Sequence, residues 1–251
     1  MNNSVILSGI NIFYMLETIK LDNILFLDIE TAPSSPDFHS LNDRMMRLWE
    51  KKSDRIRQSE ADTPESLYNR AGIYAEFGKI ICISVGCFHK EEFRIKSFAD
   101  EDEKVLLSNF AELLSTYYGG KEKLLCAHNG KEFDFPYIDR RMMVNGVKIP
   151  SILDLSGKKP WEVNHLDTME LWKFGDFKNF TSLDLLASIF DIPTPKDDID
   201  GSMVGEIYWK EHDLKRITTY CCKDVLTVAQ IVRRYRSEPL ITEDHVVIVD
   251  S

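Results

Sequence analysis

The sequence predicts an α/β fold, on three observations. Short apolar runs of strand length recur: Ile24-Leu25-Phe26-Leu27, Lys79 to Val85, and Leu124-Leu125-Cys126-Ala127. Elsewhere apolar residues recur at helical spacing. The order is three strands, then helix, strand, helix, strand and several helices. A hairpin-like β start followed by parallel strands fits that order.

Ile24 to Leu27 is a continuous apolar run ending in Asp28, as a fully buried central strand would be. Residues 35–75 differ. They are rich in charge, broken by Pro36 and Pro64, with Leu48, Trp49 and Ile56 as sparse apolar anchors. They are expected to form a helical insertion. Gly78 punctuates the chain before the second strand, and Phe93-Arg94-Ile95-Lys96 alternates as a half-exposed third strand does.

Val105, Leu106, Phe110, Leu113, Leu114 and Tyr117 then mark an amphipathic helix that Gly119-Gly120 ends. After the strand at Leu124 to Ala127 a helix begins near Pro136, a residue suited to a helix's first turn. Leu166-Asp167-Thr168 reads as a short strand stepping into a helix, with Asp167 as its cap. Ser182 to Phe190 and Leu214 to Tyr235 read as two more helices. In the last, Leu214, Ile217, Cys221, Val225, Val228, Val232 and Tyr235 form an apolar stripe. Val246 to Val249 is a candidate strand in the tail. The expected organisation is an N-terminal extension (1–20), one domain (21–240) carrying the 35–75 insertion, and a C-terminal tail (241–251).

With 251 residues, 43% hydrophobic and 29% charged, the chain reads as one large globular domain. Its net charge of -10 argues against an unspecific coat on long duplexes. It is compatible with a cleft of carboxylates that takes in a short strand end. Five cysteines without a CxxC pair read as reduced, buried thiols, and so as a cytoplasmic protein. The stretch Val5 to Met15 is too short to span a bilayer, and Met15 is an alternative start.

The chemistry rests on carboxylates. Asp28 and Glu30 are two apart on a strand and so share a face. Neighbouring carboxylates repel unless protonated or bridged by a cation, and oxygen-only ligands suit Mg²⁺ or Mn²⁺. Asp134 follows a strand at a helix start and, taken alone, reads as a helix cap. Asp224 lies four residues after Tyr220 on the last helix, on the same face. Taken alone it reads as a salt-bridged residue. Their conjunction carries the weight.

Here the chain resembles the DEDD exonucleases. Phe26-Leu27-Asp28-Ile29-Glu30-Thr31 is similar to their first motif. Asn129-Gly130-Lys131-Glu132-Phe133-Asp134-Phe135-Pro136 resembles the second, in the form found in family B DNA polymerase proofreading domains. Tyr220-Cys221-Cys222-Lys223-Asp224 matches the third, Y-x-x-x-D, of the tyrosine branch. The histidine branch needs His at position 219, which is Thr. The resemblance spans Ile24 to Tyr235 and is closest to stand-alone relatives of the proofreading domain.

It implies a ribonuclease H-like fold, with a mixed central sheet flanked by helices. It also implies 3′→5′ hydrolysis of single-stranded nucleic acid by two Mg²⁺ or Mn²⁺ ions about 4 Å apart. By resemblance, Asp28 bridges both ions, Glu30 and Asp224 complete the water-activating site, and Asp134 holds the second ion. Tyr220 positions the attacking water, because a phenol of pKa about 10 is a poor base at neutral pH. Thr31, Asn129 and Phe133 are candidates for the 3′-terminal nucleotide. Phe133 stacks on a base or packs in the core, and Asn129 bonds the substrate or its own turn.

Structural readings are expected for His128, His165, Asp197, Asp198 and Asp200, and core or hinge packing for Trp161, Trp172 and Trp209. Arg140-Arg141 and Lys51-Lys52 either touch phosphate or form solvated faces. Three functional readings follow: a DNA exonuclease, an exoribonuclease with the same metal chemistry, or a catalytically silent nucleic-acid-binding domain. Retention of all four carboxylates and Tyr220 weighs against the last.

Overall fold

The computed structural model describes residues 16–176, 178, 180–193 and 199–249. Six strands form one sheet: β1 (Ile24–Pro33), β2 (Gly78–His89), β3 (Glu92–Ala99), β4 (Leu124–Ala127), β5 (Leu166–Asp167) and β6 (Val246–Val249). Their order is β5-β4-β1-β2-β3-β6. β1, β2 and β3 pair antiparallel, while β4 lies parallel to β1 and β5 parallel to β4. This is the mixed, ribonuclease H-like sheet expected from the motifs. β6 extends it, pairing parallel with β3 from Phe93↔Val246 to Lys96↔Val249.

The helices are α1 (Asp43–Ile56), α2 (Pro64–Leu67), α3 (Glu103–Tyr117), α4 (Asp134–Asn145), α5 (Thr168–Lys173), α6 (Leu183–Ile189), α7 (Val204–Glu206) and α8 (Leu214–Tyr235). Side-chain caps start most of them and satisfy otherwise orphaned N–H groups. Asn42 accepts from Met45, Asp102 from Lys104, Ser182 from Leu185 and Asp213 from Arg216. Gly146, at φ 67°, closes α4 in the left-handed conformation glycine adopts without strain.

The two faces of β1 divide the core. Leu25, Leu27 and Ile29 face α3 and α4, packing with Leu106, Phe110, Phe135 and Ile138. Ile24 and Phe26 face α8, packing with Val225, Val228 and Val232. Each fully buried aliphatic side chain contributes about 1.5–3 kcal/mol, so the α8 stripe is a main anchor of the sheet. Two members of the α3 stripe behave differently. Val105 and Tyr117 are exposed, because Leu106, Phe110 and Leu114 already fill the face toward the sheet.

Residues 38–77 bury a cluster of their own around Trp49, whose Nε1 donates to the Pro64 carbonyl at 2.8 Å. Leu48 is exposed and so is not one of its anchors. This segment is tied to the domain by Tyr137 of α4, whose hydroxyl donates to the Gly72 carbonyl at 2.7 Å. Gly78 permits that approach: a Cβ there would stand 2.3 Å from the Tyr137 hydroxyl. At the other end of the chain, Leu16 is buried among the α8-side residues, and Arg236 donates to the carbonyls of Leu16 and Ile19.

Among the described residues no helix is long and apolar enough to cross a membrane.

Candidate active site

Asp28 and Glu30 project from β1 toward α8, on the face that Ile24 and Phe26 share below them. Immediately after Glu30 the β1–β2 register shifts, so that Glu30 faces Cys82 and Thr31 faces Ile80. Ile81 is therefore the extra residue of a β-bulge. Bulges bend a strand and re-aim its side chains, and this one lies at the rim of the acidic cluster.

Asp134 is the first residue of α4, not its cap; that place is held by Phe133, which makes no side-chain capping bond. The Asp134 carboxylate instead turns to β1. It is buried and takes the backbone N–H groups of Ile29 and of its own residue. Asp224 comes from α8. Tyr220, one turn earlier, hydrogen-bonds to it.

These groups meet electrostatically. Burial raises the Asp28 pKa well above the carboxylate range, and the charges of Glu30, Asp134 and Asp224 each raise it further. Glu30 is raised by burial, by Asp224, by Cys82 and by Asp134. Asp134 is pushed up to about 7, chiefly by burial. The Tyr220 phenol is raised by burial and by the charges of Asp224, Glu30 and Asp28. It therefore stays protonated and donates to Asp224. Four carboxylates from β1, α4 and α8 thus crowd into one poorly solvated place. Such a set is stable as anions only if cations neutralise it. Its oxygen donors fit Mg²⁺ or Mn²⁺. Glu30 shows the need most directly: it is 6% exposed and accepts no hydrogen bond from the described residues, so its ionised form calls for a cation.

Asn129 follows β4 at φ 63°. Asparagine tolerates this left-handed conformation better than most residues. Its Oδ1 is buried and has no hydrogen-bond partner among the described residues. Gly130 beside it is required by packing, since a Cβ would stand 2.4 Å from that of Ala127. Phe133 is half-buried, its ring 5.3 Å from that of Tyr137 and packed on the core. Thr31 hydrogen-bonds to Tyr137.

The histidines have structural partners. His128 bridges the Thr168 hydroxyl and the Thr181 carbonyl, both at 2.9 Å. His165 accepts from the Leu125 N–H and donates to the Ile152 carbonyl. Arg141 does not reach outward for phosphate. Its side chain, 11% exposed, makes a bidentate pair with the buried Glu103. Trp161 is exposed, contrary to a core role. Trp172 stacks on Tyr235, and Trp209 donates to the Pro33 carbonyl. Asp200 closes an exposed turn by accepting from Ser202, whereas Asp197 and Asp198 lie outside the described residues, as do residues 1–14.

Two residues at the site escape sequence reasoning. Cys221 is buried, and its thiol donates to the Asp28 carbonyl and to Asp28 Oδ2, both at 3.4 Å. Its position three residues before Asp224, on the same helix face, is a signal that was available. Cys82 reaches the site across the β1–β2 ladder, a pairing that a single sequence does not announce.

Residues 73–237 match the family described as a predicted 3′-5′ exonuclease related to the exonuclease domain of PolB. No curated protein matches the chain. Among solved structures it is similar to the family B DNA polymerase from the hyperthermophilic archaeon Pyrobaculum calidifontis, with a TM-score of 0.49 and 16% identity. That likeness covers 82% of this chain and 24% of the polymerase, so the chain spans about a quarter of that protein's length.

Proposed function

The chain belongs to the family of predicted 3′-5′ exonucleases related to the exonuclease domain of PolB, and we propose that it hydrolyses single-stranded DNA from its 3′ end with Mg²⁺ or Mn²⁺. The observation that carries this reading is the convergence of Asp28 and Glu30 of β1, Asp134 of α4 and Asp224 of α8 on one place, where Glu30 and Asp134 are buried and the charges of the others raise the Asp28 pKa. A purely structural domain has no use for such a cluster. The relation to PolB favours DNA over RNA as substrate.

In this reading Asp28, Glu30, Asp134 and Asp224 would hold the divalent ions. The ions supply charge neutralisation at the scissile phosphate and a more acidic water. Tyr220 keeps its proton, donates to Asp224 and orients the attacking water. Asn129, in the loop that leads to Asp134, contacts the terminal sugar. Thr31 and Phe133 border the same nucleotide.

The test is digestion of matched 5′-labelled single-stranded DNA and RNA with Mg²⁺ or Mn²⁺, beside EDTA and Asp28→Ala controls. The expected result is a metal-dependent ladder that shortens from the 3′ end, is faster on DNA and vanishes in the variant. Faster digestion of RNA would make the chain an exoribonuclease. Binding without cleavage under either metal would leave a silent nucleic-acid-binding domain.

A further inference from the structure

Beside the carboxylates lies a donor of different chemistry. The Cys221 sulfur and one carboxylate oxygen each from Asp28 and Glu30 lie within 4.8 Å of one another. Cys221 is fully buried on α8, and Glu30 is 6% exposed on β1. The Cys221 thiol already points at Asp28, 3.4 Å from Oδ2. The Glu30 carboxylate accepts no hydrogen bond from the described residues and points into the same space.

Donors around one tetrahedral ion, at about 2.0–2.3 Å from it, stand about 3.4–3.8 Å apart. Cys221 and Asp28 already stand at that separation, and the other pairs need to close by at most about 1.5 Å, within the reach of small side-chain rotations. Magnesium ignores sulfur, whereas zinc and cadmium prefer thiolate. We infer that Asp28, Glu30 and Cys221 form a mixed sulfur–oxygen site that captures thiophilic divalent cations, Zn²⁺ or Cd²⁺. Binding would deprotonate the thiol, releasing one proton to solvent, and the sulfur would become the third ligand. Because Asp28 and Glu30 are also in the proposed Mg²⁺ set, the soft cation would exclude Mg²⁺ from it. The inference deepens the metal reading of this site and rests on it for that last consequence.

The test uses the full chain and Cd²⁺ as probe, with sulfur-to-cadmium charge-transfer absorption in the ultraviolet as readout. The expected result is a band saturating at one ion per chain. It disappears in Cys221→Ser and is retained in Cys222→Ser. Glu30→Gln weakens Cd²⁺ affinity by about tenfold or more, as loss of a charged ligand should. Should Cys221→Ser fail to fold, as judged by circular dichroism, Cys221→Ala and Glu30→Gln carry the same test. A band that survives loss of the Cys221 thiol, or Cd²⁺ affinity unchanged in Glu30→Gln, overturns the inference. Digestion assays with Mg²⁺ separate the two readings. Activity with Mg²⁺ but no cadmium band removes this inference alone, and a Cys221-dependent band in a chain that cleaves neither DNA nor RNA removes the nuclease reading alone.

Discussion

The carboxylate of Asp167 accepts the backbone N–H of Asn129 at 3.0 Å. Its other oxygen takes the N–H of Lys131, while the first also caps α5 through Met169 and Glu170. One buried side chain therefore ties the loop after β4, which carries Asn129 and leads to Asp134, to the end of β5. Asp167→Ala leaves these N–H groups without acceptors, at about 1–3 kcal/mol for each one left buried. The expected outcome is a melting temperature lower by several degrees, with loss of cleavage even at saturating Mn²⁺. Asp167→Asn keeps an oxygen for Asn129 but turns an amide toward Lys131, and should fall between. Full activity in Asp167→Ala would show that the loop is held by other contacts.

Asp28→Asn separates function from stability. Asp28 sits among three other carboxylates, and burial and their charges together raise its pKa. Removing its charge relieves repulsion in the metal-free protein. Cleavage should fall by about 10³-fold or more, as for loss of an electrostatic group acting in the transition state. The metal-free melting temperature should rise, and Mn²⁺ should stabilise the variant less than the parent. Calorimetry with and without Mn²⁺ reads both; a metal-free variant less stable than the parent would argue that Asp28 is structurally compensated.

Periodicity made much of the fold legible. The α8 stripe from Ile217 to Tyr235 is buried along its length because a 3.6-residue repeat leaves one face for the sheet. β4 and β5 were visible as apolar steps into polar loops. What remained hidden depends on tertiary pairing. Trp161 is exposed although it is large and apolar, and Val105 is exposed because its neighbour Leu106 takes the inward position. At the site, the two-residue spacing of Asp28 and Glu30 is enough to put them on one face. Cys221 shares the Asp224 face of α8, which helical spacing shows, whereas the approach of Cys82 follows from how β1 meets β2, and no local pattern encodes that.

Arg141 has an electrostatic role inside the fold. Its guanidinium pairs with Glu103 through Nε at 2.9 Å and Nη2 at 2.5 Å, and Nη1 donates to the Ala75 carbonyl. Glu103 also accepts from the Ile80 N–H at 2.7 Å and from Asn145. The pair joins the start of α3 and the start of β2 to α4, the helix that presents Asp134. Breaking a buried pair from one side strands a charge and costs about 3–5 kcal/mol. Glu103→Ala should therefore lower the denaturant midpoint sharply without a change specific to metal affinity. A midpoint within error of the parent would place this pair among solvent-screened contacts.

His165 predicts an acid weakness. Its Nδ1 accepts from Leu125 and its Nε2 donates to Ile152, so the ring is held neutral. Burial pushes its pKa down to about 4, against about 6.5 in an unfolded chain. The unfolded state therefore binds the proton first, and stability falls as pH falls. The contribution is complete above about pH 6.5 and is lost on the way down to about pH 4, amounting to on the order of 3 kcal/mol. His165→Gln can keep one acceptor and one donor without titrating. The difference in melting temperature between parent and variant should shrink or reverse as pH drops through this window; parallel curves would refute the assignment.

Tyr220→Phe tests whether the phenol orients water or merely fills space. The hydroxyl hydrogen-bonds to Asp224 and stays protonated, since burial and the charges of Asp224, Glu30 and Asp28 all oppose its ionisation. A positioning role predicts a fall in kcat of about 10²-fold, the scale of a misplaced reactant. KM should change little, because the ring that borders the site is retained. A general base would behave differently: raising pH would recover parent activity as the phenolate formed, and the variant would lose that pH-dependent limb. The expected result is a kcat loss of constant size across pH 6 to 9, about the range in which a protonated phenol cannot titrate. A pH-dependent gap between parent and variant would instead assign proton abstraction to Tyr220.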